Sequence, residues 1–232
     1  MRTCVKNIEA AIFDMDGLLV DTEPVWAKAW IATLATVGVQ LTPKMTEETQ
    51  ALKIEAVVDY WYQRYPWPNV DSPRLQKLVV EQMELLNKRG AIVVMPGALA
   101  TIRFFINHAF PIAVASSSPL HLIDSTLNAI GVRDDFKVIC SAEAERNGKS
   151  EPDVFLTAAR KLGVPPQKAL VLEDSENGML AARRAGMLCL GVNSNATETM
   201  KQNATILLSS LEEFNVEVFD RLNKHKKDQL YE

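Results

Sequence analysis

The 232 residues predict an α/β fold: a doubly wound parallel sheet with an all-helical segment inserted after its first strand. Three observations carry that prediction. Short apolar runs without polar alternation recur between helix-like stretches, which is how strands buried on both faces of a parallel sheet read. The alternation is interrupted once, between Asp21 and about Val94, by a stretch with helical signals only. The first apolar run, Ala10-Ala11-Ile12-Phe13, ends directly in Asp14-Met15-Asp16-Gly17. That places two carboxylates at the sheet edge where open α/β folds bind their ligands.

Residues 10–13 form the first predicted strand. Aspartate is a poor strand former, so two of them at a strand exit suggest a site. A plain strand-to-turn junction closed by an Asx turn is the other reading of these residues alone. Gly17 permits a sharp turn. The inserted stretch reads as helices over 24–37, 47–65 and 73–89, punctuated by Pro66-Trp67-Pro68 and Gly90. It holds all four tryptophans and Tyr60, Tyr62 and Tyr65. Packing inside a helical unit is one reading of these aromatics, and a contribution to a ligand pocket is the other.

From about Pro96 the alternation resumes. Strands are predicted at 111–115, 136–140, 169–172, 188–192 and 205–208. Helices are predicted at 120–130, 153–162, 177–185 and 211–222, several of them closed by Gly131, Gly163 or Gly186. The boundaries that follow are an α/β core of 1–20 with 95–232, and a helical unit of 21–94 with hinges near 18–20 and 95–97.

A hydrophobic fraction of 47%, a charged fraction of 23% and a net charge of −4 describe an ordinary globular chain. A broad nucleic-acid or anionic-membrane surface is not expected. An anionic substrate would have to be attracted by a metal ion or by local lysines. Cys4, Cys140 and Cys189 show no CxxC spacing, and His108, His121 and His225 show no metal-ligand spacing. Reduced thiols in a cytoplasmic protein are expected. No signal-peptide or membrane-spanning run is evident, and a monomer or weak homodimer is anticipated. His225-Lys226-Lys227 reads as a solvated helix end.

Several predicted strands end in polar residues at one edge: Ser116-Ser117-Ser118, Glu173-Asp174-Ser175, and Lys149 after the strand between them. With Asp14 and Asp16 they supply four carboxylates, hydroxyls, an ammonium and backbone donors, the inventory for Mg²⁺-assisted phosphoryl transfer. The ordered set Asp14-x-Asp16-Gly17 with Asp21-Thr22-Glu23, then Ser116, Lys149 and Glu173-Asp174-Ser175 with Gly178, resembles the motifs of the haloacid dehalogenase (HAD) superfamily. The inserted helices resemble that family's C1 cap on a Rossmann-like core. Leu18-Leu19-Val20-Asp21-Thr22-Glu23-Pro24-Val25-Trp26 and Val57-Val58-Asp59-Tyr60-Trp61-Tyr62 are similar to bacterial sugar-phosphate phosphatases of the hexitol-phosphate and 2-deoxyglucose 6-phosphate type.

The resemblance implies an Mg²⁺-dependent phosphomonoester hydrolase acting on small sugar or hexitol phosphates. A phosphosugar mutase of the beta-phosphoglucomutase type is the alternative. By resemblance Asp14 is the nucleophile that forms an aspartyl-phosphate, and Asp16 is the general acid and base. Mg²⁺ is assigned to the Asp14 carboxylate, the Asp16 backbone carbonyl and Asp174, with Glu173 ligating or orienting a bound water. Lys149 would bridge Asp14 and the phosphoryl oxygens, and Ser116 and Ser117 would hydrogen-bond them. Lys53 and Trp26 are candidates for flanking a sugar.

Each assignment has a plainer rival. Ser116 and Ser117 could cap the following helix, and Ser118 is read as a cap outright. Asp21 could cap the first inserted helix, and Lys53 and Lys149 could be solvated. Two departures from the family pattern stand out. Ser150 occupies the place of the usual proline after the lysine, which frees the backbone there. Trp26 stands where phosphoglucomutase relatives carry a histidine associated with holding the phosphoenzyme, which favours hydrolysis over return transfer.

Overall fold

Four consecutive apolar residues make β1 (Ala10–Phe13), buried along its whole length. The computed structural model describes residues 8–49, 52, 54–68, 70–144 and 151–225. After β1 come β2 (Val20–Asp21), α1 (Glu23–Ala35), α2 (Pro43–Thr46), a 3₁₀ turn at Glu47–Thr49, α3 (Ile54–Arg64), α4 (Ser72–Lys88) and β3 (Val93–Val94). The chain continues through α5 (Ala98–Asn107), β4 (Ile112–Ser116), α6 (Leu120–Ala129), β5 (Val138–Ser141) and α7 (Asp153–Leu162). It closes with β6 (Ala169–Glu173), α8 (Glu176–Arg184), β7 (Leu188–Val192), α9 (Glu198–Asn203), β8 (Ile206–Leu208) and α10 (Val216–Lys224).

Six strands form one sheet in the order β5-β4-β1-β6-β7-β8, with every pairing parallel. The predicted α/β class is the observed one. Alternation along β1 divides the interior: Ala11 and Phe13 face one apolar cluster, Ala10 and Ile12 the other. Residues of α5, α6 and α10 cover the first face, and residues of α7, α8 and α9 cover the second. Burying Ile12 and Phe13 contributes about 1.5–3 kcal/mol each. Phe13 also meets Phe105 and Phe136 edge-on, at centroid separations of 5.6 and 5.8 Å. The last residue before Asp14 is thus clamped from two sides.

Helices α1, α3 and α4 bury a third cluster that includes Val25, Trp30, Leu34, Trp61, Leu75 and Met83. In α4 the buried Leu75, Val79 and Met83 recur every fourth residue, the stripe that packs a helix. Asp71 Oδ1 accepts the Arg74 N–H at 2.9 Å and sets where α4 begins. The helix α6 supplies Leu122 to this third cluster, and Asn87 Nδ2 of α4 donates to Thr126 Oγ1 of α6 at 3.0 Å. β2 and β3 pair antiparallel as Val20↔Val94 and Asp21↔Val93.

Some expectations needed correction. The helix predicted for 47–65 begins at Ile54, after the short α2 and a 3₁₀ turn. The Thr42 hydroxyl accepts the Met45 N–H and starts α2 earlier, at Pro43. The helix predicted for 211–222 is a 3₁₀ turn followed by α10. Asn215, in an extended conformation, accepts from the Glu217 and Val218 N–H groups and restarts the helix there. Helices α5 and α9 and the β2–β3 pair had no counterpart in the sequence reading.

Candidate active site

β1 and β6 lie side by side at the point where the connections change direction. From β1 the chain builds β4 and β5 on one side, then crosses to β6, β7 and β8 on the other. This is the switch point at which open α/β sheets form a crevice. The register Phe13↔Leu172 and the Asp14 N–H donating to Leu172 O at 3.0 Å bring Asp14 level with Glu173. Carboxylate oxygens of Asp14, Glu173 and Asp174 all lie within 4.8 Å of one another. Asp14 is 1% and Glu173 0% exposed.

Two glycines allow that close approach. Gly17 has φ +83°, and a Cβ there would overlap the Asp174 carboxylate. At Gly178, in the first turn of α8, a Cβ would overlap the Glu173 carboxylate. Ser175 orients Glu173 by donating from its backbone N–H (3.0 Å) and its Oγ–H (2.8 Å) to Oε1. The same Ser175 Oγ accepts the Gly178 N–H at 3.1 Å and so caps α8. Asn193 Nδ2 donates to the Asp174 carbonyl at 3.0 Å and holds the strand exit. Behind the site on β7, burial first and the charge of Glu173 second push the Cys189 thiol well above its ordinary range.

Three gathered carboxylates, two of them buried, repel one another unless positive charge compensates. Their donor set is oxygen only, which fits a hard divalent cation of the Mg²⁺ kind.

The Asp16 carboxylate stands outside that cluster and has its own partners. Thr22 Oγ1 donates to its Oδ1 at 2.8 Å. Ser116 Oγ and Ser118 Oγ both donate to its Oδ2, at 3.0 and 2.9 Å. The turn that presents Asp16 is closed by the Gly17 N–H donating to Val20 O at 2.8 Å. Ser116, at the end of β4, is fully buried and also accepts the Ser118 N–H at 3.0 Å. Ser141, at the end of β5, donates its Oγ–H to Ser118 O at 2.7 Å. Ser117 is exposed.

These contacts replace the capping roles read from the sequence. The N-cap position of α6 is Pro119, without a side-chain cap bond, so neither Ser116 nor Ser118 caps it. Asp21 lies in β2, and the N-cap of α1 is Thr22, whose side chain makes no cap bond either. Trp26, on α1, is half-buried against the apolar cluster of the helical unit. Lys53, Lys149 and Ser150 lie outside the described residues. Sequence reasoning missed Thr22, Ser118 and Ser141 as parts of the site. The available signal was a run of hydroxyl residues at strand exits that the adjoining helices did not need.

Known proteins similar to this chain place it in a family. Hexitol phosphatase B of Escherichia coli (strain K12) is 34% identical over 212 residues, covering 90% of this chain and 95% of the relative. CbbY from Rhodobacter sphaeroides, solved in complex with phosphate, superposes with a TM-score of 0.77 at 28% identity, over 89% of this chain and 96% of its own. Beta-phosphoglucomutase from Clostridium difficile gives a TM-score of 0.75 at 25% identity, over 93% and 97% of the two chains. The family model described as haloacid dehalogenase-like hydrolase matches residues 8–186, and the chain belongs to that family.

Proposed function

We propose that this phosphatase hydrolyses phosphate monoesters of small metabolites, sugar or hexitol phosphates foremost, with Mg²⁺ and through a phosphoryl group carried on Asp14. The observation that carries the reading is the separation of two carboxylate groups. Asp14 sits with Glu173 and Asp174, while Asp16 is held apart by three hydroxyls. That separation suits two different tasks. The substrate class is supported by the similarity to Hexitol phosphatase B.

In this reading Asp14 and Asp174, with Glu173 beside them, would hold Mg²⁺, and the bound ion would offset the charge of the phosphoryl oxygens. An Asp14 carboxylate oxygen attacks phosphorus, and the bond from phosphorus to the ester oxygen breaks. Asp16 gives its proton to that departing oxygen. A sugar alkoxide is a poor leaving group, so this proton transfer is worth roughly 10²–10⁴ in rate. Asp16 then takes a proton from water, the water oxygen attacks phosphorus, and the phosphoryl group leaves Asp14 as inorganic phosphate. Ser116 and Lys149 are assigned to the phosphoryl oxygens. Trp26 and Lys53 are assigned to the organic part of the ester, with residues 21–94 acting as a cap that excludes bulk water. A cytoplasmic location belongs to the same reading, as do small-molecule rather than nucleic-acid partners, the latter supported by the net charge of −4. No helix among the described residues is long and apolar enough to cross a membrane.

The test is inorganic phosphate release from a panel of sugar, polyol and nucleotide monophosphates, with Mg²⁺ and with EDTA. Release that requires Mg²⁺ and is concentrated on hexose or hexitol phosphates is expected. Isomerisation of a sugar phosphate without net release would instead assign a mutase. Release undiminished in EDTA would remove the metal from the mechanism.

A further inference from the structure

Two of the three hydroxyls on Asp16 stand at or beside a helix N-cap. Thr22 occupies the N-cap of α1, and Ser118 precedes Pro119, the N-cap of α6. A hydroxyl at a helix start commonly accepts a backbone N–H of the first turn. Neither does so here, and both donate to Asp16 instead. A hydroxyl has one proton to give, so the Ser118 Oγ–H is committed to Asp16 Oδ2.

The backbone of Ser118 is fixed without help from its side chain. Its N–H donates to Ser116 Oγ at 3.0 Å, and its carbonyl accepts from Ser141 Oγ at 2.7 Å. The residue is 9% exposed, so water competes little for the hydroxyl. The loop between β4 and α6 therefore aims one rigid donor at one carboxylate oxygen, across 102 positions of sequence.

Ser116 is in a different position, because the phosphatase reading gives its single proton to a phosphoryl oxygen. A phosphate that engages Ser116 withdraws that donor from Asp16 Oδ2. Ser118 is then the donor that remains on this oxygen, with Thr22 on Oδ1. We propose that Ser118 is a positioning residue for Asp16, holding the acid–base carboxylate in register with the leaving oxygen once the phosphoryl group has taken Ser116. Ser118 keeps its own proton throughout; the proton delivered to the ester oxygen and recovered from water is that of Asp16. The inference rests on the acid–base reading of Asp16 in the proposed function.

The test compares wild type, Ser118→Ala, Ser118→Thr and Asp16→Ala on an alkyl ester, sorbitol 6-phosphate, and an aryl ester, p-nitrophenyl phosphate. The aryl leaving group needs little protonation, so a residue that serves Asp16 acts selectively on the alkyl ester. Ser118→Ala is expected to lower kcat on sorbitol 6-phosphate roughly ten- to hundredfold. Its loss on the aryl ester should be several times smaller, with little change in either KM. Ser118→Thr keeps the hydroxyl and should recover most of the lost rate. Both variants should melt as wild type does, since the backbone bonds of Ser118 need no side chain. Equal losses on the two esters in a folded Ser118→Ala protein, while Asp16→Ala remains selective, would overturn the inference alone. Failure of Ser118→Thr to recover the rate would do the same. Absence of turnover by wild type, or an unselective Asp16→Ala, would overturn the phosphatase reading and the inference with it.

Discussion

Gly178→Ala separates the stability of the fold from the integrity of the carboxylate cluster. Gly178 is the third residue of α8, where alanine meets no backbone strain and improves helix propensity by about 1 kcal/mol. The added methyl would overlap Glu173 Cδ and both carboxylate oxygens, Oε1 being the farthest of the three at 2.5 Å. Ordinary contact begins near 3.4 Å, so the carboxylate must retreat by more than about 1 Å. Glu173 is fully buried and tethered by both donors of Ser175, which leaves it little room. Overpacking of this kind costs about 1–3 kcal/mol. Set against the helix gain, the net loss is about 0–2 kcal/mol, a fall in Tm of no more than roughly 8 °C for a chain of this size. Cation binding has no compensating gain. Displacing a group that ligates or orients around a metal weakens binding roughly 10–100-fold. The variant should therefore stay folded while its Mg²⁺ requirement for phosphate release rises by that factor. Thermal unfolding, calorimetric Mg²⁺ titration without substrate, and activity against Mg²⁺ concentration measure the three quantities. A folded variant with wild-type Mg²⁺ affinity would show that Glu173 does not belong to the cation's surroundings.

Asp14→Asn should abolish steady-state phosphate release, because an amide cannot serve as the attacking carboxylate; a rate within tenfold of wild type would take that role from Asp14. Burial holds Cys189 as a neutral thiol in the folded state, and Cys140 is buried as well. Iodoacetamide at pH 8 should label neither without denaturant, as read by peptide mass spectrometry, and labelling of Cys189 in the native protein would contradict its burial. The sign for stability follows from the same shift. The unfolded thiol ionises above about 8.5 while the folded one does not, so Cys189 subtracts from stability as pH rises past that value. Trp61→Ala should cost about 3–5 kcal/mol in urea unfolding, since Trp61 is fully buried and packed against Tyr60 and Tyr65; a loss under 1 kcal/mol would mean that the helical cluster does not depend on it.

The parts of the fold that were legible are those whose signal is local. β1, α7 and β7 begin and end where apolar runs, Pro152 and Gly163 place them. Gly163, at φ +77°, is the left-handed stop its position suggests. Boundaries failed where a side chain competed with periodicity. A single Asn215 carboxamide accepting two backbone N–H groups is enough to cut the predicted last helix in two. β2 and β3 were invisible because each is two residues long. Their pairing joins positions 20 and 94, a separation over which hydrophobic pattern says nothing.

The candidate site divides along the same line, and the division explains why one half of it was misread. Asp14, Glu173 and Asp174 could be nominated because acidic residues after an apolar strand are costly wherever the chain folds next. That cost is a property of the segment itself. A hydroxyl carries no such cost, since the nearest backbone N–H can always satisfy it. Ser118 therefore looked like a cap, and Thr22 drew no assignment at all. Thr22 meets Asp16 across the turn closed by Gly17 and Val20, and Ser118 is diverted because the parallel pairing of β1 with β4 aligns Phe13 with Val114 and brings Asp16 beside the loop after Ser116. Once that carboxylate is near, donating to a charged acceptor is stronger than accepting from a neutral amide, and both helices begin without side-chain caps. The absence of a cap at two helix starts, each headed by a hydroxyl or with one next to it, is itself a physical marker that something nearby outcompetes the backbone. Here that competitor is the residue assigned to move the proton.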